Sequence, residues 1–266
     1  MRNIRIYQCF LKGGVAITYR DAKKQFGEIN VFSSYDVMNA VIKKISVIET
    51  EDNFLDKLIA SQGLFRFSEQ FFLTYPTASN EMGAGTGNKI VSSTMEKLSY
   101  AFLDEPSGNE NYIKMIGRIR SKRAYKFIQS KFVESNAFVD KFKLFIPEAN
   151  NSGKYGETLT EPTLGQPNEG TSDTFLCAGP FDTIEQPKNL AIYMKTKFFR
   201  ALLGIKKVTQ HCPPKVWSLI PLQDFSLSSD IDWSQSIAEI DQQLYAKYGL
   251  SAEEIAFIES HVKEMT

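Results

Sequence analysis

Apolar residues recur at helical spacing over Val37–Ile48, where Val37, Val41, Ile45 and Ile48 share a face and Asp36 can cap the start. A shorter helix is expected over Phe54–Ala60, stopped at Gly63. Upstream the pattern is that of strands: Gly14–Tyr19 and Glu28–Phe32, joined by a polar turn ending in Gly27. Strand patterning returns in Asn111–Arg120 and Tyr125–Phe132, which predict a hairpin with Arg120-Ser-Lys-Arg123 at its tip. Asn136–Lys141 reads as a short helix feeding a strand over Phe142–Ile146, and Thr174–Ala178 as another strand before a Gly179-Pro180 turn.

Between those strands, Pro147–Thr171 is a polar loop rich in Gly, Pro, Asn and Thr. A structureless loop of that length in a compact domain is usually functional or disordered. Leu190, Tyr193, Met194, Phe198 and Leu202 form one stripe and predict a single helix, Asn189–Leu203, with Pro187 at its entry and Gly204 closing it. Two helices end the chain: Ser236–Tyr248, stopped by Gly249, and Ser251–Met265, opened by the capping box Ser251-x-x-Glu254. The predicted class is α+β, a mixed sheet with hairpins, long loops and a helical C-terminal segment.

A length of 266 residues suits one large domain or two small ones. No apolar run approaches the roughly 18 residues of a membrane span, and the start MRNIRIYQCFLKGG lacks the apolar core of a signal peptide. Cys9, Cys177 and Cys212 are far apart, and His211 and His261 have no ligand spacing. The expectation is a cytoplasmic protein with reduced thiols, no metal site and no membrane partner.

Charge changes the picture more than composition does. Lys plus Arg number 31 and Asp plus Glu 31, yet Gln186–Gln223 and Asn111–Val133 contain no acidic residue. A surface rich in cations steers polyanions even at zero net charge. From Asp224 onward the chain is acidic, with Lys247 and Lys263 against nine carboxylates, so this tail is expected to pack on the scaffold or on another protein.

Motifs for catalysis are weak. Gly83-Ala-Gly-Thr-Gly-Asn-Lys89 departs from a Walker A loop, because Asn88 separates Gly87 from Lys89 and Ile90 follows. There is no Glu-x-Lys for a metal-dependent nuclease, and the one Asp-x-Lys, Asp21-Ala-Lys23, lies in an expected turn. No Gly-x-Ser-x-Gly elbow occurs, and adjacent His211 and Cys212 make a poor dyad.

Several segments in order resemble the target-recognition region of the Eco57I-like restriction-modification adenine-N6 DNA methyltransferases. They are LKGGVAITYRD (11–21), KFKLFIPEANNSGK (141–154), GQPNEGTSDTFLCAGPF (165–181), the block 193–225 and LYAKYGLSAEEIAFIES (244–260). Glu148 stands where that family tends to have Lys, and Thr171–Thr174 departs from its Cys-Thr-Glu-Thr. The resemblance implies residues 1–35 as the end of a methyltransferase domain, 36–225 as a target-recognition domain and 226–266 as a helical pair packed on it. It implies that catalysis, with its S-adenosylmethionine, belongs to a separate domain or subunit, and that this chain carries no cofactor. No Asn-Pro-Pro-Tyr and no glycine-rich cofactor motif occurs here.

The expected function is therefore sequence-specific recognition of double-stranded DNA, without catalysis by this chain alone. The associated activity would be DNA adenine-N6 methylation or restriction endonuclease cleavage. A second reading is a protein-interaction module or specificity subunit docking a catalytic subunit, and a third a fragment of a type II restriction enzyme. Phosphate contacts are expected from Arg118, Arg120, Lys122, Arg123, Lys197, Arg200, Lys207 and Lys215. Base or groove contacts are expected from Lys143, Asn150, Asn151, Lys154, Gln166, Asn168 and Gln210.

Overall fold

Two β-sheets, each backed by helices, meet face to face across a few apolar side chains. A computed structural model of the chain describes Lys23, Val31 and residues 33–265. The strand pair expected at Gly14–Tyr19 and Glu28–Phe32 falls outside these residues apart from Val31. The chain divides after Ser34, and residues 35–266 form one compact unit.

The first sheet is antiparallel in the order β1-β7-β4-β5, from Ile59–Ala60 (β1), Phe142–Pro147 (β4), Thr163–Gly165 (β5) and Phe175–Phe181 (β7). Alternation along β4 and β7 sends Leu144, Ile146, Leu176 and Ala178 into the larger core, while Phe145, Phe175 and Cys177 point to the other sheet. The larger core is closed by helices Asp36–Ile48 (α1), Glu185–Lys195 (α5), Lys197–Lys206 (α6), Ile237–Lys247 (α7) and Ala252–His261 (α8). The C-terminal pair thus shares one core with the strands, through Ile240, Leu244, Tyr248 and Ile258.

The second sheet has the order β3-β2-β6, from Tyr112–Ile119 (β2), Lys122–Gln129 (β3) and Glu169–Thr171 (β6), with β2 antiparallel to β3 and parallel to β6. Ile113, Met115 and Ile128 pack under the short helices Glu69–Thr74 (α2), Ala78–Met82 (α3) and Ser92–Lys97 (α4). Ile116 joins Phe145, Phe175 and Cys177 between the two sheets.

The architecture is α+β, as the sequence pattern predicts, with several local differences. The segment read as one helix, Asn189–Leu203, is two: Thr196 takes extended backbone, accepts from the Phe199 N–H at 3.2 Å and caps α6. Asp241 from α7 accepts the Lys197 and Phe198 amides at 2.9 and 2.8 Å, so the break is held by a distant carboxylate. Burial pushes that carboxyl up to about 6 against those two donors. Pro187 lies inside α5, and Gly204 lies inside α6 rather than closing it. A Cβ there would come within 2.9 Å of the Tyr155 ring, so close packing explains the glycine.

Asp36 is the first residue of α1, which has no side-chain cap. Phe54–Ala60 contains a 3₁₀ turn, Leu55–Lys57, followed by β1. Residues 136–141 form turns rather than a helix, and the polar loop Pro147–Thr171 contributes β5 and β6. Strand β7 runs through Gly179-Pro180 as a cis peptide. Both C-terminal helices carry capping boxes, Ser236/Glu239 and Ser251/Glu254.

Candidate nucleic-acid interface

Hairpin β2–β3 turns through two residues, Arg120 and Ser121, with φ of +48° and +64°. Positive φ at both positions is the geometry of a two-residue hairpin turn whose twist matches its strands. Neither residue is the glycine or asparagine that adopts it without cost. The turn presents Arg120, whose side chain is 86% exposed and reaches Glu96 at 3.5 Å. Lys122 beside it is exposed.

One step down the hairpin, Arg118 and Arg123 face each other as cross-strand partners. Like charges in that register repel and need a compensating reason. Among the described residues neither guanidinium has an acidic partner. Arg118 Nη2 donates to the Ser121 carbonyl at 2.8 Å, and Arg123 Nη1 to Thr163 Oγ1 at 2.9 Å. Arg123 also sits 5.5 Å from the centre of the Phe175 ring.

The two arginines and Ser121 line an open cleft of about 440 Å³ beside the hairpin turn. Gln62, Glu148 and Asp173 line it too. His211 Nδ1 lies 2.9 and 3.0 Å from the two Glu148 oxygens, and Asp173 Oδ1 accepts the Ser92 amide at 3.0 Å. Arg123 also borders a shallower groove of about 680 Å³ that continues to Lys188 and Lys195.

Half of the cations of the acid-free segments pair with acids from elsewhere, Arg120 among them. In the hairpin stem, Lys114 pairs with Glu169 at 3.0 Å and Lys126 with Asp104 at 2.6 Å, and just after it Lys131 pairs with Glu110 at 3.9 Å. Along 186–223 the paired cations are Lys195, Lys197 and Lys207. Lys197 is clamped by Glu259 at 2.6 Å and Glu264 at 3.0 Å, both from the acidic tail, and Lys195 pairs with Glu161. The Glu259 hydrogen bond, opposed by burial, raises the Lys197 ammonium pKa.

Arg200 is 2% exposed, and its guanidinium is spent on the carbonyls of Lys195 and Glu157. Lys207 is 2% exposed and bonded to Glu157 at 2.5 Å. Arg200 and Lys207 are therefore interior and Lys197 is neutralised, so these expected phosphate ligands do not form a DNA face. Lys215 is exposed, but it lies outside the cleft lining.

The expected base contacts scatter. Lys143 is fully buried between the sheets, donating to the Val139 and Glu169 carbonyls at 3.2 and 2.7 Å, and burial lowers its pKa to about 8. Asn150 is fully buried, its Oδ1 accepting the Thr160 amide at 2.8 Å. Neither can reach a groove, because strand β4 carries one into the interior and the folded 147–162 loop encloses the other.

Asn151 is exposed with its amide on the Thr158 carbonyl, Lys154 is exposed, and Gln210 is exposed with its carbonyl accepting the Asn150 amide. Asn168 and Gln166 are exposed at the β5–β6 turn, and Asn168 lines a separate cleft with Asn111 and Asp140. Of the expected residues, the main cleft brings together Arg118 and Arg123, while Arg120 and Lys122, exposed beside them, lie outside its lining. Gln62, Glu148 and Asp173 were not legible as site residues, since each gains its place only through pairing of distant strands and loops.

Cys212 is fully buried, with burial pushing its thiol up to about 12, while His211 is engaged with Glu148. The glycines Gly85 and Gly87 have left-handed φ and open space around them. Their loop follows the five-residue α3 rather than a strand. Among the described residues no cluster of His, Cys, Asp and Glu is placed to hold a metal ion, and no helix is long and apolar enough to cross a membrane. Comparison with family models, with curated proteins and with solved structures finds no match to this chain.

Proposed function

We propose that this chain binds double-stranded DNA through the β2–β3 hairpin tip and its cleft, as the target-recognition part of a restriction-modification adenine methyltransferase system. The observation that carries the proposal is the cross-strand pair Arg118–Arg123, neither of them ion-paired in a hairpin whose Lys114, Arg120 and Lys126 each meet an acid. Holding two guanidiniums in that register costs folding energy, and an anionic ligand is what recovers it. A strained turn that keeps arginine at its apex fits the same purpose. The resemblance of residues 141–154, 165–181 and 193–225 to methyltransferase target-recognition regions narrows the polyanion to DNA. In this reading methyl transfer belongs to a separate catalytic domain or subunit, and this chain supplies recognition.

The test is duplex binding across a range of salt concentrations. Each lost phosphate contact reduces the slope of log affinity against log salt by about one unit. Arg120→Ala and Lys122→Ala are each expected to weaken binding to all sequences alike and to flatten that slope. Binding that ignores salt, or is absent with and without a methyltransferase chain, would overturn the proposal in favour of a protein-docking module.

A further inference from the structure

The cleft carries both signs of charge, which a site for phosphate alone would not. Glu148 and Asp173 share its lining with Arg118 and Arg123, and a phosphodiester brought there would meet two carboxylates. The charged groups are anchored without being used up. Arg123 spends Nη1 on Thr163, which leaves further N–H groups of its five-donor fork. Glu148 is held by His211 on one ring nitrogen, and its side chain keeps 14% exposure. Fixed donors beside fixed acceptors call for a ligand edge that offers acceptors and a donor side by side.

In the major groove a G·C pair offers that edge. Guanine presents O6 and N7 as acceptors suited to an arginine fork, and the paired cytosine presents its N4 amino donor to a carboxylate. An A·T pair would set the adenine amino donor against the guanidinium and leave the carboxylate facing the thymine carbonyl or methyl. We infer that the cleft reads a G·C base pair, with Arg123 donating to guanine and Glu148 accepting from cytosine. Arg118 sits beside Arg123 as a second donor, His211 positions Glu148, and the tip residues Arg120 and Lys122 hold the backbone. The inference rests on the DNA-binding reading above and adds the identity of one recognised position.

Selection of bound duplexes from a randomised pool, followed by affinities for single base-pair changes, tests it. The wild-type chain is expected to select at least one fixed G·C and to lose roughly 10- to 100-fold in affinity when that pair is changed. Arg123→Lys keeps the charge without the bidentate fork, so it should lose the guanine preference. Glu148→Ala should weaken discrimination at the same position, whereas Lys122→Ala should weaken all sequences equally. A pool without a fixed G·C, or an Arg123→Lys chain that still discriminates, overturns the inference. If salt-dependent binding to random duplex persists in that case, the DNA reading stands; loss of all DNA binding by the wild-type chain removes both.

Discussion

Glu157 shows how a single carboxylate organises the loop that sequence patterning leaves shapeless. It accepts from Lys207, from the Ser152 amide and hydroxyl and from the Gly153 amide. Burial opposes its ionisation, but these donors bring its pKa down from 4.5 to about 2. A carboxyl lowered on folding stabilises the fold above its unfolded pKa, and that stability is lost as pH falls through its folded value. The loss therefore falls between about pH 4.5 and 2. Glu157→Gln is expected to cost roughly 3 kcal/mol at pH 7 and to flatten this acid limb, read by urea denaturation at a series of pH values. Lys143 shows the opposite case, a cation met only by carbonyls, whose charge the interior disfavours. Both positions look like surface polar residues in the sequence, and nothing in their local pattern separates them from Lys122.

At the scale of elements, the hairpin was legible and its tip nearly so. Strand patterning placed β2 and β3 within a few residues, and the cluster at 120–123 marked the turn. The exact turn, Arg120-Ser121, follows from the strand register rather than from residue preference, since left-handed backbone there costs about 1–2 kcal/mol per residue. Replacing the pair by Asn-Gly should raise stability by roughly 1 kcal/mol, seen as a higher denaturation midpoint, while weakening DNA binding. A gain in stability with no loss of binding would remove Arg120 from the interface. The break between α5 and α6 was hidden for a different reason. The apolar stripe continues across Thr196, and the carboxylate that caps the second helix comes from Asp241.

For the whole molecule the central quantity is charge, and its distribution along the chain differs from its distribution in space. The segment 186–223 is free of acids, yet Lys197, Lys195 and Lys207 each meet a glutamate from another segment. The acidic tail, expected to pack on the scaffold, supplies two of those glutamates. Lys197→Ala is therefore expected to leave the salt slope of DNA binding unchanged, in contrast to Lys122→Ala. A comparable flattening by both substitutions would mean that Lys197 is released to DNA on binding.

The sequence by itself determined the α+β class, the hairpin, the strand at 142–146, the capped C-terminal helices and an excess of cations in two stretches. Those features depend on neighbours a few residues apart, where periodicity and capping act. Only the tertiary structure decided which cations stay uncompensated, because an ion pair depends on which distant segment is folded against it. It also made Lys143, Asn150, Arg200 and Lys207 interior and gathered Arg118, Arg123, Glu148 and Asp173 around one cleft. The polar loop became two short strands for the same reason: β5 and β6 exist by pairing with β4 and β2, far away in the chain.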